Sequence, residues 1–195
     1  MKLPSELDGS IYRRRDLARA GIGWRSVDAL LDAGAIMRIA PGAYARTDLI
    51  DDDTAALASI VIRKPQATIA LASALDRHDL TDAIPSRIDI ALPRGSRSLK
   101  TPTSRIRWHS FDAATFEIGR ETIELIDGIR IGLYSAERTI IDVFRTGHMT
   151  GPEHANEALK RWLRRPGSQP SELISMAKSF PKALPAIRSA LEILL

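Results

Sequence analysis

Cysteine is absent from the 195 residues. Disulfides and thiolate metal sites are therefore excluded, and the composition suits a cytoplasmic chain. Long apolar runs are absent too. The longest, Ala55–Ile62, falls well short of the roughly 20 residues a membrane-spanning helix needs. The opening residues MKLPSELDGS lack the apolar centre of a signal peptide. There is no glycine-rich phosphate loop, no His-Arg-Asp catalytic loop and no Asp-Phe-Gly, so the familiar nucleotide-handling enzymes are not signalled. His148 and His154 stand six apart, a poor spacing for metal ligands. The reading is a soluble chain that needs no cofactor and no metal.

A basic segment is present. Residues 11–46 carry Arg13, Arg14, Arg15, Arg19, Arg25, Arg38 and Arg46 against Asp16, Asp28 and Asp32, an excess of four that equals the net charge of the whole chain. The rest of the chain is neutral in sum. Such a segment points to an anionic partner, nucleic acid first, or to an arginine face that water alone covers. For Arg13, Arg14 and Arg15 the two readings stand level.

The local signals in that segment are turns and caps. Leu17 and Ala20 sit three apart and Gly21 follows, which predicts a short helix closed by glycine. After Ile22-Gly23, Val27, Leu30 and Leu31 recur at i, i+3 and i+4, which predicts a second helix over about 24–33 with Gly34 at its end. Trp24 is expected to pack against the first of these helices. Ala40-Pro41-Gly42-Ala43 suits a type II turn between strands, with proline second and glycine third. Helix, turn, helix and hairpin in this order predict a winged helix-turn-helix over residues 1–48. Arg38 and Arg46 then fall on the wing, where backbone phosphates are reached. Arg25 and Ser26 fall at the start of the second helix.

The stretch "RDLARAGI…ALLDAGAIMRIAPGAYA" resembles the winged-helix segment of AbiEi-type antitoxins, whose hairpin closes in Gly-x-Tyr, here Gly42-Ala43-Tyr44. Two departures stand out. The family usually carries basic residues before the glycine that ends the second helix, whereas Asp32-Ala33 precedes Gly34 here. Only nine residues precede Ser10, so the first helix is expected to be abbreviated or missing. Further matches lie in "IALASALDRHDL", "IDIALPRG" and "GLYSAERTIIDVFR", where the family carries a small polar residue, Arg-Thr and an Asp three residues on, here Ser135, Arg138, Thr139 and Asp142. The resemblance thus covers roughly residues 12–146.

Downstream, residues 49–195 are expected to form an α/β domain, and the chain as a whole an α+β protein. Asp51, Asp52 and Asp53 read as an acidic helix start. "QATIALASAL" reads as an alanine-rich helix, and His78-Asp79 as its turn or capped end. "RIDIALP", "RIRWHSF" and "ETIELIDGIRIGLYS" read as strands, the last a hairpin about Asp127-Gly128, and together they predict a mostly antiparallel sheet covered by helices. Ser135 is placed to cap a helix in which Arg138 and Asp142 pair at i, i+4. Ile140, Ile141 and Phe144 are expected to face the sheet. The C-terminal part reads as helices, one of them capped by Ser171. Arg94, Arg97 and Lys100 in the loop "PRGSRSLKTP", with Arg107, Arg138 and Asp142, are candidates for contact with a partner or a phosphate.

The resemblance implies an antitoxin of a bacterial toxin–antitoxin operon. It implies a cognate nucleotidyltransferase toxin as partner, and autorepression through inverted repeats in its own promoter DNA, bound by two copies. The alternatives are an enzyme that modifies the toxin covalently, for example by phosphorylation, and a stand-alone winged-helix transcription factor. No residue is marked as catalytic.

Overall fold

The computed structural model describes residues 9–99, 105–147 and 152–195. It is an α+β protein of two compact units. The first comprises Met1–Pro65 with Ile123–Ile131, the second Gln66–Thr122 with Gly132–Leu195.

The first unit opens with strand β1 (Ile11–Arg13), which runs straight into α1 (Arg14–Arg19). The abbreviated or missing first helix falls before Ser10, mostly outside the described residues, and Ile11–Arg13 is extended. Its reason is pairing: Tyr12 lies opposite Tyr44, and both rings are buried. Helix α1 ends in a Schellman turn. The Ile22 N–H donates to the Leu17 carbonyl and the Gly21 N–H to the Ala18 carbonyl, with Gly21 at φ +75°. Helix α2 (Trp24–Asp32) ends in the same way, with Ala35 donating to Leu30, Gly34 to Leu31, and Gly34 at φ +66°. Strands β2 (Ile36–Ala40) and β3 (Ala43–Arg46) follow, with Gly42 of the Pro-Gly turn at φ +70°. The three strands lie in the order β1-β3-β2, all antiparallel.

Leu17, Ile22, Val27, Leu30 and Ile36 close over Tyr12 and Tyr44 as one core. A second cluster joins Ile39, Ala40, Ala43 and Ala45 of the hairpin to Ala55 and Ala58 of α3 (Asp52–Arg63). Alanine on both elements lets helix and hairpin approach closely. Helix α3 groups with the hairpin it covers, and the first unit runs through Pro65. Asp51 caps α3, its carboxylate accepting from the backbone N–H groups of Asp53 and Thr54 at 3.0 and 2.9 Å.

The second unit contains β4 (Thr68–Ile69), α4 (Leu71–Arg77), β5 (Ile88–Pro93) and β6 (Ile106–Phe111). Strands β7 (Arg120–Ile126) and β8 (Ile129–Tyr134) follow, and their turn end is grouped with the first unit. Residues 66–75 are not one helix. Thr68 and Ile69 form a short, fully buried strand at the centre of the sheet order β6-β5-β4-β8-β7, and α4 starts only after Ala70. Nor is the sheet mostly antiparallel. It is mixed, with β5–β6 and β4–β8 parallel and β4–β5 antiparallel. The expected Asp-Gly hairpin is present, with Asp127 at φ +46° and Gly128 at φ +74° as a type I′ turn requires.

Helix α5 (Ala136–Arg145) is capped by Ser135, whose Oγ accepts from the Arg138 N–H. Helices α6 (Pro152–Leu163), α7 (Pro170–Ala177) and α8 (Leu184–Leu194) complete the unit. The cap of α7 is Gln169 rather than Ser171, because Pro170 takes the first helical position. Ile140 and Ile141 sit in the helical core with Leu159, Trp162, Leu173 and Ile187, with Phe144 packed against it, so α5 is wrapped by the C-terminal helices instead of laying this face on the sheet.

Candidate nucleic-acid interface

Arg13, Arg14 and Arg19 sit at the ends of short elements of the first unit, and Arg38 sits in the middle of β2. Arg13 ends β1, and its N–H donates to the Asp16 carboxylate at 2.9 Å. Arg14 starts α1, and its N–H donates to the Gly42 carbonyl at 2.8 Å, which ties the helix start to the hairpin turn. The side chains of Arg13, Arg14, Arg15, Arg19, Arg25 and Arg38 are all exposed. Arg15 lies 3.7 Å from Asp16, an exposed and weak pair. The other five form no ion pair among the described residues.

Arg46 differs. Its Nε and Nη2 grip the two oxygens of Asp48 at 3.0 and 2.6 Å. That forked contact holds the Asp48 carboxyl below its usual range. Arg46 is therefore occupied within its own hairpin end, unlike Arg38, whose guanidinium lies 5.7 Å from the Tyr44 ring centre with no carboxylate.

Helix α2 presents a graded surface. Its first residue, Trp24, is 60% exposed, with the Arg25 guanidinium 5.5 Å from its ring centre. Trp24 does not pack on α1, because Val27 and Leu30 fill that side of the helix. Ser26 is half-buried beside them, and Asp28 and Asp32 follow on the exposed side. The helix thus runs from aromatic and cationic at its start to acidic at its end.

The candidates in the second unit scatter. Arg94 is exposed and lies 3.4 Å from Asp112; Arg97 is exposed. Lys100 and His148 lie outside the described residues. Arg107 is exposed, 3.7 Å from the buried Asp89. Arg138 and Asp142 cannot meet a partner, since both side chains are 0% exposed and the Arg138 Nε donates to Asp142 at 3.0 Å. The Arg138 Nη1 also donates to the carbonyls of Thr115 and Ile118, at 2.7 and 2.5 Å, and its charge lies 4.2 Å from the Tyr134 ring centre. Burial pushes the Asp142 carboxyl up, while Arg138 and Arg145 pull it back down. The pair locks α5 to the segment that leads into β7.

Two groups escaped the sequence reading. Arg145 donates to the other oxygen of Asp142 at 2.8 Å, a contact that its i, i+3 spacing signals. Asp89 and His109 share a bond of 2.7 Å, both nearly buried. Asp89 sits between Ile88 and Ile90, and apolar neighbours on both sides are the signal of a strand buried on both faces.

No family model matches the chain, and no curated protein matches it. Among solved structures it is similar to the RV2827C protein from Mycobacterium tuberculosis, with a TM-score of 0.58 and 19% sequence identity over 97% of this chain and 77% of that chain. The two share a fold.

Proposed function

We propose that the first unit is a winged helix-turn-helix that binds operator DNA, with α2 as the recognition helix and the β2–β3 hairpin as the wing. The observation that carries this reading is the set of five exposed arginines, Arg13, Arg14, Arg19, Arg25 and Arg38, that form no ion pair among the described residues. Exposed guanidiniums without a carboxylate partner, carried on ordered helices and strands, are suited to phosphate oxygens. In helix-turn-helix docking the first residues of the recognition helix meet base edges. Here those are Trp24, Arg25 and Ser26. Asp28 and Asp32 lie further along, so the acidic end stands clear of the first contacts; an aspartate that does enter the groove suits a cytosine amino group.

The sequence resemblance over residues 12–146 extends this reading to an antitoxin that represses its own promoter and neutralises a nucleotidyltransferase toxin, with the second unit as the toxin-facing part. The test is a gel-shift titration of the full chain on its upstream promoter at two salt concentrations. If four arginines meet phosphates, log affinity falls with log salt at a slope near −3.6. Arg38→Ala reduces that slope by about 1, and Arg25→Ala lowers the preference for promoter over random DNA. Equal binding to random DNA by the unaltered protein would overturn the operator reading. Failure of the chain to rescue growth against the neighbouring gene's product would overturn the antitoxin reading.

A further inference from the structure

One cleft of the second unit gathers several charged side chains. It has a volume of about 290 Å³ and is lined by Arg94, Asp112, Thr115, Arg145, Ser179 and Lys182. Three of these carry positive charge and one negative. The residues come from the end of β5, the segment after β6, the last turn of α5 and the segment between α7 and α8. The shape is therefore a product of tertiary packing.

Arg145 is the part held in place. Its side chain is 23% exposed, its Nη2 is bound to Asp142, and its guanidinium carbon lies 4.8 Å from the Phe111 ring centre and 5.8 Å from that of Phe180. Its Nε is buried and has no hydrogen-bond acceptor. A buried N–H without an acceptor is an unmet demand that native structures rarely leave standing. Asp142 does not serve it: the two Asp142 oxygens accept from Arg138 Nε and Arg145 Nη2, and Arg145 Nε reaches neither. At the mouth, Arg94 lies 3.4 Å from Asp112, both half-exposed or more, a loose pair that a stronger anion displaces. Lys182 is exposed and has no ion-pair partner among the described residues.

We propose that this cleft binds the phosphate group of a small phosphate monoester. Two guanidiniums, an ammonium and the hydroxyls of Ser179 and Thr115 suit a doubly charged group with several acceptor oxygens better than a single carboxylate. The volume lies near the lower end of the range for small-molecule sites, about 300 Å³, so the substituent is compact. This inference is independent of DNA binding by the first unit.

The test is calorimetric titration of the full chain at constant ionic strength with ribose 5-phosphate, inorganic phosphate and gluconate in turn. Ribose 5-phosphate is expected to bind more tightly than inorganic phosphate, and gluconate not at all. Arg94→Ala and Lys182→Ala, both surface changes that leave the fold intact, each weaken ribose 5-phosphate about tenfold. Asp112→Asn tightens it, because the competing carboxylate is gone. Arg13→Ala with Arg14→Ala leaves it unchanged. Binding of inorganic phosphate as tight as that of ribose 5-phosphate would assign the cleft to the free ion and overturn the monoester. Binding that is indifferent to Arg94 and Lys182, or that disappears with Arg13 and Arg14, would overturn the cleft itself.

Discussion

Arg25 and Arg138 are the same residue type in two opposite situations. Arg25 stands on the first turn of α2, exposed, with the Trp24 ring beside it. Arg138 stands on the first turn of α5, wholly buried, with a carboxylate, two carbonyls and three aromatic rings around it. The first spends no stability on its charge and leaves it available to a partner. The second has lost its hydration, and every contact it makes replaces water. The same contrast runs through the two units. The first carries short-range devices, two glycine turns, a Pro-Gly turn and an aspartate cap, beside its β1–β3 pairing. The second depends on contacts between residues far apart in the chain.

The largest effect is expected at the buried pair. Arg138→Ala leaves Asp142 without its main counter-charge and costs about 4 kcal/mol, measured by urea unfolding. Combining Arg138→Met with Asp142→Leu recovers most of that loss, because desolvation of both charges disappears together. If the double variant is no better than the single one, the pair is not what holds α5.

Gly119→Ala probes the same place from the other side. Gly119 has φ +65°, and an added Cβ would stand 2.6 Å from the Arg138 Cβ. Left-handed backbone and overpacking together cost about 3 kcal/mol. A neutral result would show that the segment before β7 yields more easily than the arginine's two carbonyl bonds suggest.

In the first unit, Asp51→Ala removes a cap and costs about 1 kcal/mol at neutral pH. Bonds from the Thr54 hydroxyl and the Thr54 and Asp53 N–H groups hold the Asp51 carboxyl below its usual range. Its folded pKa is therefore lower than its unfolded one. The stability it adds is present above about pH 4 and is lost as pH falls through the depressed folded value. The gap between wild type and Asp51→Ala in thermal unfolding should shrink accordingly in acid.

The smallest effect on stability is expected at the arginines proposed to meet DNA. Arg25→Ala and Arg38→Ala should each change unfolding by less than about 0.5 kcal/mol. A larger change in either would mean that these side chains hold the fold, and would erase the contrast with Arg138.

What was legible in advance is local. Gly21 and Gly34 were readable as helix ends because a Schellman turn is settled within six residues. Asp127-Gly128 and Pro41-Gly42 were readable for the same reason, as were the caps at Asp51 and Ser135. The Arg138–Asp142 pair was readable as a possibility from its i, i+4 spacing, and the structure makes it. The seven arginines of residues 11–46 were visible as a charge excess.

Only the tertiary structure decided what those residues face. Thr68 and Ile69 lie in an alanine-rich stretch that favours helix by propensity, yet β5 and β8 on either side draw them into the sheet. The parallel pairings join segments that no short turn connects. Arg46 was lost to Asp48 while Arg38 was left open, though both lie in the same hairpin. Arg138 went to the core and Arg145 to a cleft rim, though seven residues separate them on one helix. By itself the sequence determined turns, caps and the i, i+4 pair, because their energies depend on neighbours along the chain. Burial and charge availability depend on neighbours in space, which only the packed structure supplies.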